Sequence, residues 1–510
     1  MLTEEDSRAL DLESRPETEK RVSGKPKRSA KQSGLYRAVW RWHFYAGLFT
    51  IPVIVMLCLT GTTYLFKPQI ESLLYGHLMH VTPGVQTVSY QRQLQAVQDA
   101  YPKASVSSVT PPLSPTGVTE FEIVRKGVGK KLADFALDYS VFVNPYTGRI
   151  IGHRDNSKDP VNVAVTLHGT LATQRFFGSS KWGNRLIETV ASWAILLILT
   201  GVFLWWPRGR QRSSLRGVVV PRTEGRKGNR TFWRDVHAIS GVLFGFVILF
   251  FLLTGMLWTQ VAGTNIHKVV NGTYGQAFAQ MPNSTKIKDV DPSGPWATSQ
   301  IPVPPSGQAE APQARANQAG LLTWNPKDGA PLDAVVAQAQ NLGFPAGYAI
   351  SMPSGDTGTY MIGTYPDIDS RPEQRVSNER FAFVDQYSGR VLGQIRHTQI
   401  GLFGRAMDTG VALHEGRQLG IWNQMASLLA VLVVLVSCAT SVVMWRKRRP
   451  SGLGAPPPVR NRRVNVALFA IALVLSVVFP LLGITLLAVV VFESVIVHRI
   501  PRLARALGAA

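Results

Sequence analysis

Only 2 of the 510 residues are cysteine, Cys58 and Cys438, and each lies inside an apolar run. That placement cannot build a thiolate metal cluster or a disulfide framework, so both read as small buried hydrophobes. There is no Cys-x-x-Cys motif, no phosphate-binding glycine loop and no Ser/His/Asp spacing of a hydrolase. Redox-thiol, nucleotide-hydrolysing and triad chemistries are therefore excluded. No flavin or nicotinamide domain is recognisable either. Acidic residues are scarce: 32 Asp and Glu face 54 Lys and Arg, for a net charge of +22. A basic balance can mean nucleic acid, but here the charge gathers beside apolar runs too long for core helices, which points to lipid. The first forty residues are polar and lysine-rich, show no cleavable signal peptide, and read as a disordered cytosolic tail.

Apolar runs at 44–66, 186–206, 236–259 and 423–445 are each long enough to span a bilayer. A longer run at 464–497 carries "FPLLG" at 479–483, where Pro480 and Gly483 predict a hairpin of two short helices. Basic clusters precede the first span (Lys25, Lys27, Arg28, Lys31, Arg37, Arg41) and fill the loop between spans two and three (Arg208, Arg210, Arg212, Arg216, Arg226, Lys227, Arg230). They recur after span four ("RKRRP", Arg460, Arg462, Arg463) and at the C-terminus (Arg499, Arg502, Arg505). The positive-inside rule satisfies all four clusters with six spans and both termini cytoplasmic. The expected layout is a tail (1–35), a first span (36–67), an outer domain (68–165), a pre-span segment with span two (166–206) and a basic loop (207–235). Span three (236–259), an outer linker and second domain (260–411), and a pre-span segment with span four (412–445) follow. A basic loop (446–463), the hairpin (464–498) and a short tail (499–510) complete it.

The chain repeats itself. "WHFYAGLF" and "VHAISGVLF" open spans one and three, with His43 and His237 each followed by glycine four residues on (Gly47, Gly241). Thr60 and Thr254 each follow their histidine by seventeen residues. In the outer segments, helical spacing at 90–101 and 332–344 precedes strands that end in "SVFVNPYTGRIIG" and "FAFVDQYSGRVLG", two matching hairpins. "TLHGTL" (166–171) and "ALHEGR" (412–417) follow, each ahead of a span. This is the pattern of a tandem duplication. The stretch 283–330, rich in Pro, Ala and Gln, reads as linker.

Together with "GVFLWWPR" (201–208) and "FPLLG", these motifs resemble the PepSY-associated transmembrane family over nearly the whole chain from about residue 36. The resemblance implies a mainly α membrane protein: a six-span helical bundle with two periplasmic α+β PepSY-like domains. It also implies iron uptake, since some members are similar to haem-containing inner-membrane reductases of ferric siderophores.

An imidazole at a bilayer edge is costly and usually functional. One such histidine can simply anchor a helix end. Two at matching positions, each with Gly at i+4, favour axial ligation of haem, because glycine one turn away leaves room for a porphyrin. Gly61 and Gly255, at i+18, extend each stripe; close helix packing is the competing explanation for the glycines. Depth pairs His43 with His237 on an inner haem and His168 with His414 on an outer one, roughly 20–25 Å apart at 1.5 Å per residue. His77, His80 and His267 are rivals for the outer site. Arg41 and Arg234 are candidates for haem propionates or for plain interfacial anchoring, and His153 and His397 for surface or propionate contacts.

The resulting expectation is an inner-membrane oxidoreductase with about two b-type haems. It passes electrons from a separate cytoplasmic flavoprotein or quinol to a periplasmic acceptor, a ferric siderophore. Reduction of Fe(III) weakens its hold by hard oxygen ligands. The alternative is a non-enzymatic transport or regulatory membrane protein whose outer domains bind a peptide, a protease or a metal complex.

Overall fold

The computed structural model describes residues 34–125, 139–207, 217–222, 229–271, 285–290, 298–307, 324–325, 328–364, 375–448, 462–492, 495 and 499–502. The N-terminal tail and most residues of the basic clusters lie outside them. The first helices are α1 (Gly34–Leu65), α2 (Lys67–Met79), α3 (Tyr90–Ala100), α4 (Pro160–Thr170), α5 (Thr173–Phe177) and α6 (Lys181–Trp205). Then come α7 (Arg230–Leu243), α8 (Gly245–Gly255), α9 (Ala262–Asn271), α10 (Ile287–Val290) and α11 (Leu332–Asn341). The last are α12 (Leu402–His414), α13 (Ile421–Arg448), α14 (Arg462–Val478) and α15 (Pro480–Val491).

Among the described residues, α1, α6 and α13 are long and apolar enough to cross a membrane. A fourth crossing results if α7 and the run from Gly245 to Trp258 count as one span bent by 58°. The bend falls at Phe244, between Ser240-Gly241 and Gly245, the small-residue setting in which helices kink. The C-terminal run divides at Phe479 into α14 and α15, of 17 and 12 residues. Twelve residues reach only about 18 Å, short of a full hydrocarbon core. The four long elements close into a ring: α1 packs on α6, α6 on α7, α7 on α13, and α13 back on α1. The α14–α15 pair lies outside it, with Leu482 and Leu486 against Ala46, Trp193 and Leu196, and the Trp193 indole donating to Thr485 (2.9 Å).

The two stretches read as separate outer domains form one sheet. Its strands are β1 (Ala104–Thr110), β2 (Thr119–Arg125), β3 (Tyr139–Val143), β4 (Ile150–Asp155), β5 (Tyr348–Ser351), β6 (Thr359–Thr364), β7 (Arg380–Asp385) and β8 (Val391–Arg396). The spatial order is β4-β3-β2-β1-β5-β6-β7-β8, every neighbour antiparallel. Each half is a four-stranded meander, and β1 meets β5 through Ser108↔Ser351 and Val109↔Ile350. Joining there removes two open edges that separate domains would expose.

The halves share details finer than strand order. The β3–β4 turn closes with Asn144 N–H on the Arg149 carbonyl (2.9 Å), and the β7–β8 turn with Asp385 N–H on the Arg390 carbonyl (2.8 Å). Gly148 and Gly389 take positive φ, +69° and +65°, where a side chain would be strained. Tyr146 and Tyr387 each donate their hydroxyl to a carbonyl 31 residues earlier, Pro115 and Asp356. Helices α3 and α11 cover one face, burying Leu94, Val97, Leu332 and Val335 against Val109, Phe121 and Ile350. Their N-termini cap each other: the Asp333 carboxylate accepts from Tyr90 and Gln91 N–H, and the Gln91 side chain accepts from Leu332 N–H.

The stretch read as linker does more than connect. Ile287, Ile301 and Val303 are buried against Met361, Phe381, Phe383 and Ile395 on the other face of β6–β8. Those apolar residues are what its Pro/Ala/Gln bias obscured. The sheet meets the bundle through α2, where Glu71 pairs with Arg154 of β4 (2.8 Å).

Candidate functional site

His43 lies in the third turn of α1, and His237 in α7. These helices stand on opposite sides of the four-membered ring, so the two imidazoles meet across its interior. Their ring centres are 6.2 Å apart at an interplanar angle of 82°. His43 Nδ1 is 2.9 Å from Thr200 Oγ1 of α6. His237 Nδ1 lies 3.1 Å from the Ser437 carbonyl of α13, with Thr440 Oγ1 at 3.5 Å.

The second pair sits at the other end of α1, beside the sheet. His168, near the end of α4, has Nδ1 at 3.0 Å from Thr60 Oγ1 of α1. His414, the last residue of α12, has Nδ1 at 2.8 Å from Thr254 Oγ1 of α8. The two imidazoles are close enough to interact electrostatically. Phe251 packs against the His414 ring at 4.8 Å. Thr60 and His43 are separated along α1 by about 25 Å at 1.5 Å per residue, so the two pairs stand at opposite depths of the bundle.

The threonines explain the chemistry of the rings. Each donates its hydroxyl proton to the carbonyl four residues back on its own helix: Thr60 to Met56 (2.9 Å), Thr200 to Leu196 (2.7 Å), Thr254 to Phe250 (2.7 Å), Thr440 to Val436 (2.8 Å). A hydroxyl so engaged can only accept from the imidazole. The backbone of the residue three before each threonine also interacts with the ring: Leu57, Leu197, Phe251 and Ser437. Carbonyls accept and never donate. These contacts suit neutral imidazoles that carry their proton on Nδ1 and present the Nε2 lone pair, the state a metal-ligating histidine needs.

Glycine gives the rings room. A Cβ on Gly61, Gly201 or Gly255 would stand 3.2, 3.4 or 3.3 Å from Cε1 of His168, His43 or His414. Gly61 and Gly255 thus back the sheet-side imidazoles rather than clear space beside His43 and His237. Gly47 and Gly241 differ: a Cβ there would meet nothing within 4 Å, so open space adjoins both. The supporting hydroxyls were missed in the sequence, although "LTG" occurs at 59–61, 199–201 and 253–255. That repeat is the signal of a threonine that holds an imidazole and a glycine that admits it.

The remaining candidates fall away from the pairs. His77 and His80 are exposed, and the His267 side chain lies outside the described residues. His153 is exposed on β4 and bonds the Tyr101 hydroxyl (3.0 Å). Arg234 is bound to Asp235 (2.7 Å), which also holds Arg222, so this arginine serves a carboxylate of its own chain. Arg41 is buried with its guanidinium over the Tyr45 ring. His397 is buried in a separate cluster with Glu379 and Asp408.

A ring of membrane-length helices, an antiparallel sheet and four half-buried histidines define a multi-helix membrane protein with a sheet domain at one end. The family model for the PepSY-associated TM region matches residues 40–448, and the chain belongs to that family. No curated protein matches the chain.

Proposed function

We propose that the chain is a haem-holding oxidoreductase of the bacterial inner membrane. His43 with His237, and His168 with His414, would each hold one b-type haem. Electrons would pass from a cytoplasmic flavoprotein or quinol to a ferric siderophore on the sheet side. The observation that carries this reading is the His43–His237 pair. Two imidazoles bound on opposite faces of one metal, each at about 2 Å, put their ring centres roughly 6 Å apart, and the observed separation is 6.2 Å. The Nδ1 bonds support it, because they orient each ring and raise its basicity as a ligand. The open space beside Gly47 and Gly241 supports it too.

Haem, when bound, supplies one-electron transfer. The chain's own residues hold and tune it. The threonines keep each imidazole in the Nδ1–H form, the apolar bundle excludes water, and the ring of helices sets the spacing between the sites. Six spans with both termini cytoplasmic, and an origin by tandem duplication, belong to the same proposal. The matching hairpins, threonine contacts and meanders of the two halves support the duplication.

An absorption spectrum of protein purified from haem-replete cells tests the reading. A Soret band that sharpens and shifts on dithionite reduction is expected. A colourless protein would sink it and favour a transport or regulatory role.

A further inference from the structure

Glu379 lies between a short helical turn and β7, and His397 opens the turn that follows β8. The β7–β8 ladder holds them side by side, and His397 N–H donates to the Glu379 carbonyl (2.9 Å). Asp408 reaches the same point from α12. One ligand-capable atom from each of the three lies within 4.8 Å of the other two, and all three residues are buried, 3%, 8% and 3% exposed in the order Glu379, His397, Asp408. The group is not a closed hydrogen-bond network. His397 Nδ1 stands 3.8 Å from Glu379 Oε2, too far for a hydrogen bond. Both Glu379 oxygens and His397 Nδ1 have no hydrogen-bond partner. A buried carboxylate left so is costly unless a cation meets it.

Two arginines flank the site. Arg417 interacts with Glu379 at longer range, but its guanidinium is bonded to Glu415. Arg405, one turn before Asp408 on α12, sits near His397 and repels its protonated form. These cations leave Glu379 short of neutralisation: burial still pushes its carboxyl up to about 8.

We propose that Glu379, His397 and Asp408 form a site for a divalent first-row transition-metal ion, of the class of Mn(II) or Zn(II). Two carboxylates and one imidazole suit such ions. A calcium site would present more oxygens, and a copper(I) site thiolate or thioether. Solvent completes the coordination. The ion ties the β7–β8 end of the sheet to α12, whose last residue is His414. The proposal holds whether or not the four histidines bind haem.

The test uses full-length protein in detergent, stripped with chelator, loaded with Mn2+ or Zn2+ and desalted. About one Mn2+ per chain is expected, displaced by Zn2+. Electron spin echo modulation of the Mn2+ complex should show one imidazole nitrogen, an observation in the wild type that no variant's folding can spoil. Glu379→Gln and Asp408→Asn should each lose the retained ion while keeping the wild-type Soret spectrum or, if colourless, the wild-type circular dichroism. A wild type that retains no ion, or a bound Mn2+ without nitrogen coupling, overturns the site. Folded variants that bind as the wild type does overturn it too. Haem content measured on the same sample reports separately on the haem reading.

Discussion

Thr254 Oγ1 has its proton committed to Phe250, so the 2.8 Å contact to His414 exists only as an acceptor. Thr254→Val keeps the shape and removes the acceptor. Loss of such a supporting contact lowers metal affinity about 10- to 100-fold, and we expect haem transfer to excess apomyoglobin to accelerate correspondingly from one of two sites. An unchanged transfer rate would mean that the hydroxyl does not hold the ligand. The positions of the four histidines were legible in the sequence: His43 and His237 stand at matching places at the mouths of two apolar runs, and His168 and His414 at matching places ahead of two spans. Their partners were not: the contacts join residues 108, 157, 160 and 200 apart in the chain. The seventeen-residue spacing from histidine to threonine was visible, but it links two different sites, along α1 in one half and from α7 to α8 in the other. His43 and Thr60 never touch; Thr60 serves His168.

At the scale of elements, the two hairpins were readable from their glycines and alternating strands. Their chemistry differs at one atom. Asn144 and Asp385 both accept turn N–H groups through Oδ1, but Asp385 Oδ2 also accepts from Gly307 N–H (3.0 Å). Burial works against the Asp385 charge, yet the N–H groups of Ser388, Gly307 and Tyr387 outweigh it and hold the carboxyl below its usual value. Its contribution to stability is therefore present above the unfolded value of about 3.9 and is lost as pH falls through the lower folded value. Asp385→Asn should cost about 1–3 kcal/mol at neutral pH through the orphaned Gly307 N–H. The gap to wild type should narrow in thermal melts below about pH 4; parallel curves would contradict the assignment. Asp333, which caps α3 across the sheet's midline, carries a similar expectation. Asp333→Ala should lower stability by about 0.5–2 kcal/mol, measured by the same melts. The merging of two predicted domains into one sheet was not legible, since the β1–β5 seam is two residue pairs between strands with no special sequence. The buried Ile287, Ile301 and Val303 were hidden for a related reason: isolated apolar residues in a polar stretch show no period.

For the whole molecule, length and apolarity identify three spans and the bent fourth, while the full count rests on charge. The loops that decide it carry their arginines mostly outside the described residues, so the proposed orientation rests on the positive-inside rule. Reporter fusions after Lys67 and Thr259 should sense the periplasm, and those after Arg212 and Arg449 the cytoplasm. A cytoplasmic signal from residues 90–150 would overturn the scheme and with it the proposed direction of electron flow. The ring of four helices accounts for what a hydropathy profile cannot contain. It sets α1 opposite α7, so that His43 and His237 face one another, and it brings α4 and α12 to the sheet-side end. The measurement that reaches the central claim most directly is the number of haems per chain, by pyridine haemochrome against protein mass, in wild type, His237→Ala and His414→Ala. The account predicts about two in the wild type and about one in each variant. A wild type without haem, or histidine variants that retain the wild-type number, would contradict it.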